Sequence, residues 1–174
     1  MKVSWGKRIE LNQLLSVIKC CIALGWKLET HLTALMACIA FETGRTFSPS
    51  VKNAAGSGAT GLIQFMPTTA KGLKTSTAEL AAMSFEEQMS YVERYFKPYA
   101  SKVKTIEDLY FAIFMPKYIG ANLDSVVFNQ GTIAYTQNSG FDSSKKGYIT
   151  VGDITERIRR IKTEGETSAN LLEI

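Results

Sequence analysis

The chain has 174 residues, of which 45% are hydrophobic and 21% are charged. This length and composition suit one packed core and exclude a disordered tail, so we expect a single globular domain over residues 1–174. Its 20 basic and 16 acidic residues leave a formal net charge of only +4, with no dense basic block. This charge pattern is not that of a nucleic-acid-binding protein.

Apolar stretches near the N-terminus are short. Leu14–Val17 and Cys20–Leu24 are separated by Lys19, whereas a membrane-spanning helix needs about 20 consecutive apolar residues. The N-terminus is basic, but Glu10 interrupts any hydrophobic stretch and no small-residue cleavage site follows. We therefore expect neither membrane insertion nor a signal peptide.

Metal-ligating residue types are few. Cys20, Cys21 and Cys38 lie in mostly apolar contexts, and His31 is the only histidine. No spaced Cys/His cluster is present that could close a zinc site, so we expect no metal and no cofactor. A disulfide between the adjacent Cys20 and Cys21 would be strained, which favours three buried, reduced thiols.

Helical spacing of apolar residues predicts five amphipathic helices. The first two, separated by a break at Gly25–Thr30, carry Leu11, Leu14, Leu15, Ile18 and Ile22, and then Leu32, Leu35, Met36 and Ile39. The third begins at the capping box that Ser84 opens and ends before Pro98. The fourth runs from about Thr105 to Met115, and the fifth begins near Val151. The alternating pattern of strands is almost absent, so the predicted fold class is all-α or mainly α.

Three further segments are distinguished within this single domain. Residues 1–28 form an N-terminal helix region, and residues 164–174 look like a loosely attached tail. Between the second and third helices, Asn53–Gly61 holds three glycines and three alanines in nine residues. Such a loop allows another molecule to approach its backbone closely.

Glu42 lies at the end of the second predicted helix, one residue after Phe41 and two before Gly44. A carboxylate at the negative end of a helix dipole, beside apolar side chains, is disfavoured as an anion. Glu42 should therefore hold its proton to a higher pH than a free glutamate, which is what a general acid near neutral pH requires. Taken alone, the position also fits a solvated glutamate at a helix end.

The residues after Glu42 carry an ordered motif. They are Glu42-Thr43, Phe47-Ser48-Pro49, Gly58-Ala59-Thr60-Gly61-Leu62-Ile63-Gln64 and Pro67-Thr68-Thr69-Ala70. This pattern resembles the soluble lytic transglycosylase family, whose motif is Glu-Ser, F-x-P, G-A-x-G-L-M-Q and P-x-T-A. Thr43 for Ser and Ile63 for Met are conservative departures. The resemblance is dense over Ile39–Leu73, thinner up to Asp153, and strongest to the compact lysins of bacteriophages.

The resemblance implies a compact lysozyme-like helical domain with a Gly-rich substrate-binding loop. Glu42 would be the catalytic acid and then base, cleaving the β-1,4 bond between N-acetylmuramic acid and N-acetylglucosamine in peptidoglycan and leaving 1,6-anhydro ends. Gln64 would face the N-acetyl sugars, Ser57 would offer a hydroxyl near Glu42, and Gly61 would keep the loop thin. No Asp or Glu lies between Glu42 and Glu79, so a two-carboxylate glycosidase is disfavoured.

One family motif is not matched. The family's Ala-Tyr-Asn motif supplies a tyrosine hydroxyl that hydrogen-bonds the catalytic Glu, but the fourth predicted helix places Phe114 and Met115 there. Phe cannot donate a hydrogen bond. Tyr110, Tyr118 and Tyr135 are therefore the candidates to replace that hydroxyl, although each also fits a packed aromatic.

A second pattern occupies Phe141–Asp153. Asp142, Ser144 and Asp153 fall at positions 1, 3 and 12 of an EF-hand-like loop, but Lys146 places a cation where a ligand oxygen should point. We expect a degenerate loop that binds calcium poorly or not at all.

Two alternatives to a lytic transglycosylase stay open. One is a hydrolytic, goose-type lysozyme, which would share the fold and the glutamate. The other is an inactive cell-wall-binding or phage structural module. In either enzymatic case the resemblance implies a monomer that is made in the host cytoplasm and acts on peptidoglycan after the membrane is permeabilised.

Overall fold

A computed structural model describes all 174 residues. Helices make up 54% of the chain and strands 8%, which confirms the mainly α class. The helices are α1 (Leu11–Ala23), α2 (Leu28–Glu42), α3 (Pro67–Gly72), α4 (Thr77–Ala82), α5 (Phe85–Phe96), α6 (Ile106–Phe114), α7 (Ile133–Asn138) and α8 (Val151–Gly165). None of them combines the length and the apolarity that crossing a membrane requires.

Two small antiparallel sheets complete the fold. β1 (Lys2–Val3) pairs with β4 (Leu172–Glu173), and β2 (Val126–Asn129) pairs with β3 (Tyr148–Thr150). The first sheet joins the two ends of the chain and is continued by the bond from the Trp5 N–H to the Gly165 carbonyl at 3.0 Å. The prediction that residues 164–174 are loosely attached is therefore wrong, because pairing between the two chain ends leaves no local sequence signal.

α2 is the central helix of the core. All ten residues from His31 to Ala40 are buried, and α1, α6 and α8 pack around the helix. A helix that is apolar on all sides is stable only when other elements surround it. The surrounding helices thus fix the position of the residue at its C-terminal end, Glu42.

The predicted helices are confirmed, and so is the predicted cap at Ser84; two further caps start α6 and α8. Ser84, Thr105 and Thr150 each accept a hydrogen bond from the backbone three residues later, at the starts of α5, α6 and α8. These caps satisfy N–H groups that a helix start otherwise leaves unpaired. The six-residue helices α4 and α7 were not predicted, since neither is long enough to show an apolar period.

Only part of the apolar set predicted for α1 is buried. Leu11, Leu15 and Ile22 are exposed, with 70%, 41% and 61% of their surface accessible, whereas Leu14 and Val17 are buried. α1 carries two apolar stripes, and the one that packs against α2 and α5 includes Leu14 and Val17. The spacing of the outer stripe is also helical, so periodicity alone could not separate the two.

The three thiols are free and buried, as predicted. Burial raises the pKa of Cys21 to about 12 and raises those of Cys20 and Cys38 as well. Because the thiolate is the reactive form of cysteine, these side chains act as small apolar groups in the core.

Candidate active site

Glu42 is the last residue of α2, as the sequence predicts. The chain turns sharply after it because Thr43 is buried and its hydroxyl bonds in two directions. The Thr43 Oγ1 donates to the Ile39 carbonyl at 2.7 Å and accepts from the Phe47 N–H at 3.1 Å. Thr43 therefore holds the turn that leads into the Gly-rich segment, which a serine could also do.

The carboxyl group of Glu42 is half-buried and has no hydrogen-bond or ion-pair partner within the chain. Burial raises the pKa of Glu42 to about 8. No charged neighbour contributes to this shift, so desolvation is its cause. The expectation of a raised pKa is confirmed, and the group is largely protonated at neutral pH.

Two tyrosines lie within electrostatic reach of Glu42. Burial, and after it the charge of Glu42, raises the pKa of Tyr110 on α6. Burial, Tyr99 and then Glu42 raise that of Tyr95 on α5. Phe41, the residue before Glu42, packs edge-on against Tyr110 with ring centroids 5.4 Å apart. α2, α5 and α6 thus each contribute a side chain to the surroundings of the carboxyl group.

The hydroxyl groups of these two tyrosines differ in their bonding. Tyr95 Oη donates to the Ala112 carbonyl at 2.7 Å. The Tyr110 hydroxyl has no partner in the chain, although only 4% of the residue is exposed, and it is not fully enclosed. Tyr110 therefore retains both a donor and an acceptor, and its ring contacts Phe41, the residue before Glu42. Tyr95 was not predicted, because nothing in its surrounding sequence distinguishes it.

Tyr118 and Tyr135 lie elsewhere. The Tyr118 hydroxyl faces the carbonyls of Val126 and Val127, both at 3.4 Å. The Tyr135 hydroxyl donates to Asp142 at 2.8 Å. Their hydroxyls are used to hold β2 and the segment before β3, so neither is available to Glu42. Of the three predicted candidates, Tyr110 is the one whose ring contacts Phe41, the neighbour of Glu42 in the chain.

Phe114, which the sequence resemblance aligns with the Ala-Tyr-Asn motif, packs on the same aromatic cluster. Its ring stacks on Tyr110 with centroids 5.8 Å apart and an interplanar angle of 6°. Phe128 and Phe141 meet Phe114 edge-on at 6.4 and 6.3 Å. This cluster links α6 to the β2–β3 sheet and orients Tyr110 beside the candidate acid.

The Gly-rich segment folds into a narrow loop closed by backbone pairing. Thr60 pairs with both Lys52 and Phe65, and the Gly61 N–H donates to the Val51 carbonyl at 2.8 Å. Gly58 and Gly61 have φ values of +77° and +88°, a region that favours glycine. The loop is therefore ordered by its own backbone, and its tip is exposed.

Gln64 and Ser57 make hydrogen bonds within this loop. The Gln64 side-chain amide donates to the carbonyls of Val51 and Gly61 at 3.2 and 3.1 Å. Both of its N–H groups are thus used, and only its carbonyl oxygen is left to meet a ligand. Ser57 is exposed, and its Oγ accepts from the Ala59 N–H at 3.3 Å. The structure records no contact between Ser57 and Glu42.

The next acidic residues in the sequence are surface groups. Glu79 and Glu87 accept hydrogen bonds from the backbone N–H groups of Ser76 and Ser84 and cap α4 and α5. Glu86 is exposed on the first turn of α5. These roles agree with the interpretation of all three as solvated charges.

The segment Phe141–Asp153 is closed by the chain's own donors. Asp142 accepts from Tyr135 and from the N–H groups of Lys146 and Gly147, at 2.8 to 3.0 Å. The Lys146 ammonium group lies 2.7 Å from Asp153. A protein cation thus neutralises the carboxylate at the last position of the EF-hand-like pattern.

A groove of about 490 Å³ is lined by Tyr95, Tyr99, Leu73 and Ile113, among others, and Glu42 is not among its lining residues. Comparisons with protein-family models, with curated proteins and with solved structures gave no match. A functional assignment therefore depends on the residues and geometry of this chain.

Proposed function

We propose that the chain is a peptidoglycan-cleaving enzyme of the lytic transglycosylase type with a lysozyme-like fold. The observation that carries the proposal is Glu42, an unpartnered and half-buried carboxyl whose pKa burial raises to about 8. Such a group holds a proton at neutral pH and can donate it to a leaving oxygen. The ordered motif from Glu42 to Ala70 and the narrow loop it encodes support the same assignment.

In the proposed reaction Glu42 protonates the oxygen that leaves C1 of N-acetylmuramic acid, and that C1–O bond breaks. The ionised Glu42 then takes the proton of the muramyl C6 hydroxyl while the C6 oxygen bonds to C1. The 1,6-anhydro ring closes, and the acid is restored without water. Since a second carboxylate is not required, the solvated roles of Glu79 and Glu87 are compatible with this mechanism.

Substrate binding is proposed for the surfaces on either side of Glu42. The free carbonyl oxygen of Gln64 and the exposed tip of the loop at Ser57 would face the sugar. The Tyr110 hydroxyl, beside Glu42 and without a partner, would hold the carboxyl in place. Gly61 would have two roles: it leaves room for the loop's own packing, and it lets sugar approach the backbone. As proposed, the enzyme is a monomeric phage lysin that needs no cofactor or metal.

Mass spectrometry of digested peptidoglycan tests the proposal. Purified sacculi treated with the wild-type chain should yield muropeptides with 1,6-anhydromuramyl ends, one water lighter than hydrolysis products. The Glu42→Gln variant is the control and should release about 10²–10⁴-fold less. Muramic acid with free reducing ends, which borohydride reduces, would instead indicate a goose-type lysozyme. Binding to sacculi without any product would indicate the inactive wall-binding module.

A further inference from the structure

A concave surface lies at the opposite end of α2 from Glu42. It has a volume of about 740 Å³, and its lining includes Trp26, Lys27, His31, Lys97, Ser101 and Lys104. We call it the lysine groove. Because α2 has 15 residues and a helix rises about 1.5 Å per residue, the two sites are about 20 Å apart.

The charge of the lysine groove has one sign. Three of its eleven lining residues are lysines, Lys27, Lys97 and Lys104, and none is acidic. None of the three ammonium groups forms an ion pair, although six other basic side chains of the chain do. Lys104 also lines an adjoining groove that contains Glu29, Glu107 and Glu166, of which Glu107 and Glu166 are paired with Arg159 and Lys162. Like charges around one concavity repel, and a bound anion would relieve that repulsion.

The floor of the groove holds the lysines together. The His31 ring is buried and stacks on Trp26 with centroids 5.2 Å apart, and its Nε2 lies 3.3 Å from the Val103 carbonyl. Trp26 Nε1 donates to the Ala100 carbonyl at 3.1 Å. These contacts join the start of α2 to the segment 97–104. The backbones that carry the lysines of two separate segments are therefore held around one space, and the lysine side chains are exposed.

We propose that the lysine groove binds a phosphate-bearing ligand. Lysine ammonium groups act as compact point charges, which suits a multiply charged group such as a phosphate more than a singly charged carboxylate. The Ser101 hydroxyl has no partner in the chain and adds a donor at the same surface. The ligand is either a soluble phosphate or diphosphate or the headgroup of an anionic lipid. The inference does not depend on Glu42 or on the proposed reaction.

Tryptophan fluorescence provides the test, because Trp26 lines the groove while the only other tryptophan, Trp5, is buried against α8. Sodium pyrophosphate is titrated at constant ionic strength. We expect a saturable change in the wild-type chain and a Kd raised about tenfold in the Lys97→Gln/Lys104→Gln double variant. All the lysines concerned are exposed, so these variants should fold.

The matched control is the Lys19→Gln/Lys71→Gln double variant, which loses the same charge at exposed sites outside the groove. It should bind pyrophosphate as the wild-type chain does, and so should Glu42→Gln. An equal loss of binding in both lysine double variants, an equal response to sodium sulfate, or no saturable binding of pyrophosphate by the wild-type chain would overturn the proposal.

Vesicles distinguish the two sources of the phosphate. Sedimentation is measured with phosphatidylglycerol vesicles and with phosphatidylcholine vesicles, with and without pyrophosphate. One outcome is that the protein sediments with phosphatidylglycerol vesicles but not with phosphatidylcholine vesicles. If pyrophosphate releases it and Lys97→Gln/Lys104→Gln abolishes the retention, the site is supported with a lipid headgroup as its ligand. Pyrophosphate binding without retention on either vesicle supports the site with a soluble phosphate as its ligand.

Discussion

The side-chain amide of Gln88 fills the space in which a Cβ atom at Gly61 would lie. Gln88 is fully buried on α5. Its Oε1 accepts from the Leu62 N–H at 2.6 Å, and its Nε2 donates to the carbonyls of Pro49 and Leu80 at 3.0 and 2.8 Å. One buried amide thus ties the Gly-rich loop to α5 and sets the position of the loop relative to the core.

Replacing Gly61 with alanine should destabilise the protein. The φ of +88° costs a side-chain-bearing residue about 1–2 kcal/mol, and displacing the Gln88 amide adds about 1–3 kcal/mol. Urea denaturation measures the loss. Gly56→Ala is the control, since Gly56 has a φ of +77° and nothing within 4 Å of its Cβ position. Equal losses in both variants would show that the Gln88 contact is unimportant.

Gly61 also illustrates what the sequence could and could not predict. Its presence in the motif indicates a position that needs glycine, and the structure agrees. The partner that excludes a side chain there, Gln88, lies on a helix 27 residues further along, and no local pattern connects the two. The starts of the helices were predicted more accurately, because the caps at Ser84, Thr105 and Thr150 are local hydrogen bonds within four residues of sequence.

The raised pKa of Glu42 predicts how stability changes with pH. A free glutamate ionises at about 4.3, whereas Glu42 in the folded chain ionises at about 8. Between these values the folded state holds a proton that the unfolded state has lost, so the free energy of unfolding falls as the pH rises. The decrease is about 1.4 kcal/mol for each unit by which the two pKa values differ.

Urea denaturation at pH 5 and at pH 8 checks this. Glu42→Gln has no carboxyl to ionise, so its stability should decline less than that of the wild-type chain over the same interval. Other titrating groups are shared by the two proteins and cancel in the comparison. Parallel pH dependences for both would mean that Glu42 is solvated and that its pKa is ordinary.

Replacing each of the three candidate tyrosines with phenylalanine should not change the cleavage rate by the same amount. Tyr110→Phe should lower peptidoglycan cleavage by up to about tenfold, because it removes the hydroxyl that we propose bonds to Glu42 when substrate is bound, and one hydrogen bond contributes about 0.5–1.5 kcal/mol. Tyr118→Phe and Tyr135→Phe should cleave at the wild-type rate. Turbidity loss of purified sacculi is the measurement, with circular dichroism to confirm that each variant is folded.

The sequence could not choose among these tyrosines. The local echo of the family motif at Ala134–Asn138 favours Tyr135, yet its hydroxyl bonds to Asp142. Tyr110 precedes the expected position by one helical turn, and Phe114 stacks upon it there. Which of two residues on the same helix face meets Glu42 depends on how α6 packs against α2, a long-range relationship.

Calcium should have no effect on stability or cleavage. The Lys146 ammonium group pairs with Asp153 at 2.7 Å, and Asp142 already accepts three hydrogen bonds from the chain. Although burial opposes the shift, the bonds from Tyr135, Lys146 and Gly147 lower the pKa of Asp142. Melting curves with added calcium and with chelator should coincide. A clear upward shift at micromolar calcium would show that the loop binds the ion.

Glu42→Gln should leave the fold intact and lower peptidoglycan cleavage about 10²–10⁴-fold, the usual contribution of general acid catalysis. The amide matches the carboxyl in size, and Glu42 has no partner in the chain to lose, so stability at pH 5 should be retained. Because the acid must be protonated in the free enzyme, kcat/KM of the wild-type chain should fall as the pH rises through about 8. Turbidity loss of sacculi between pH 6 and pH 9 measures this decrease in kcat/KM. A variant that cleaves at the wild-type rate would remove Glu42 from the mechanism, whatever the products are.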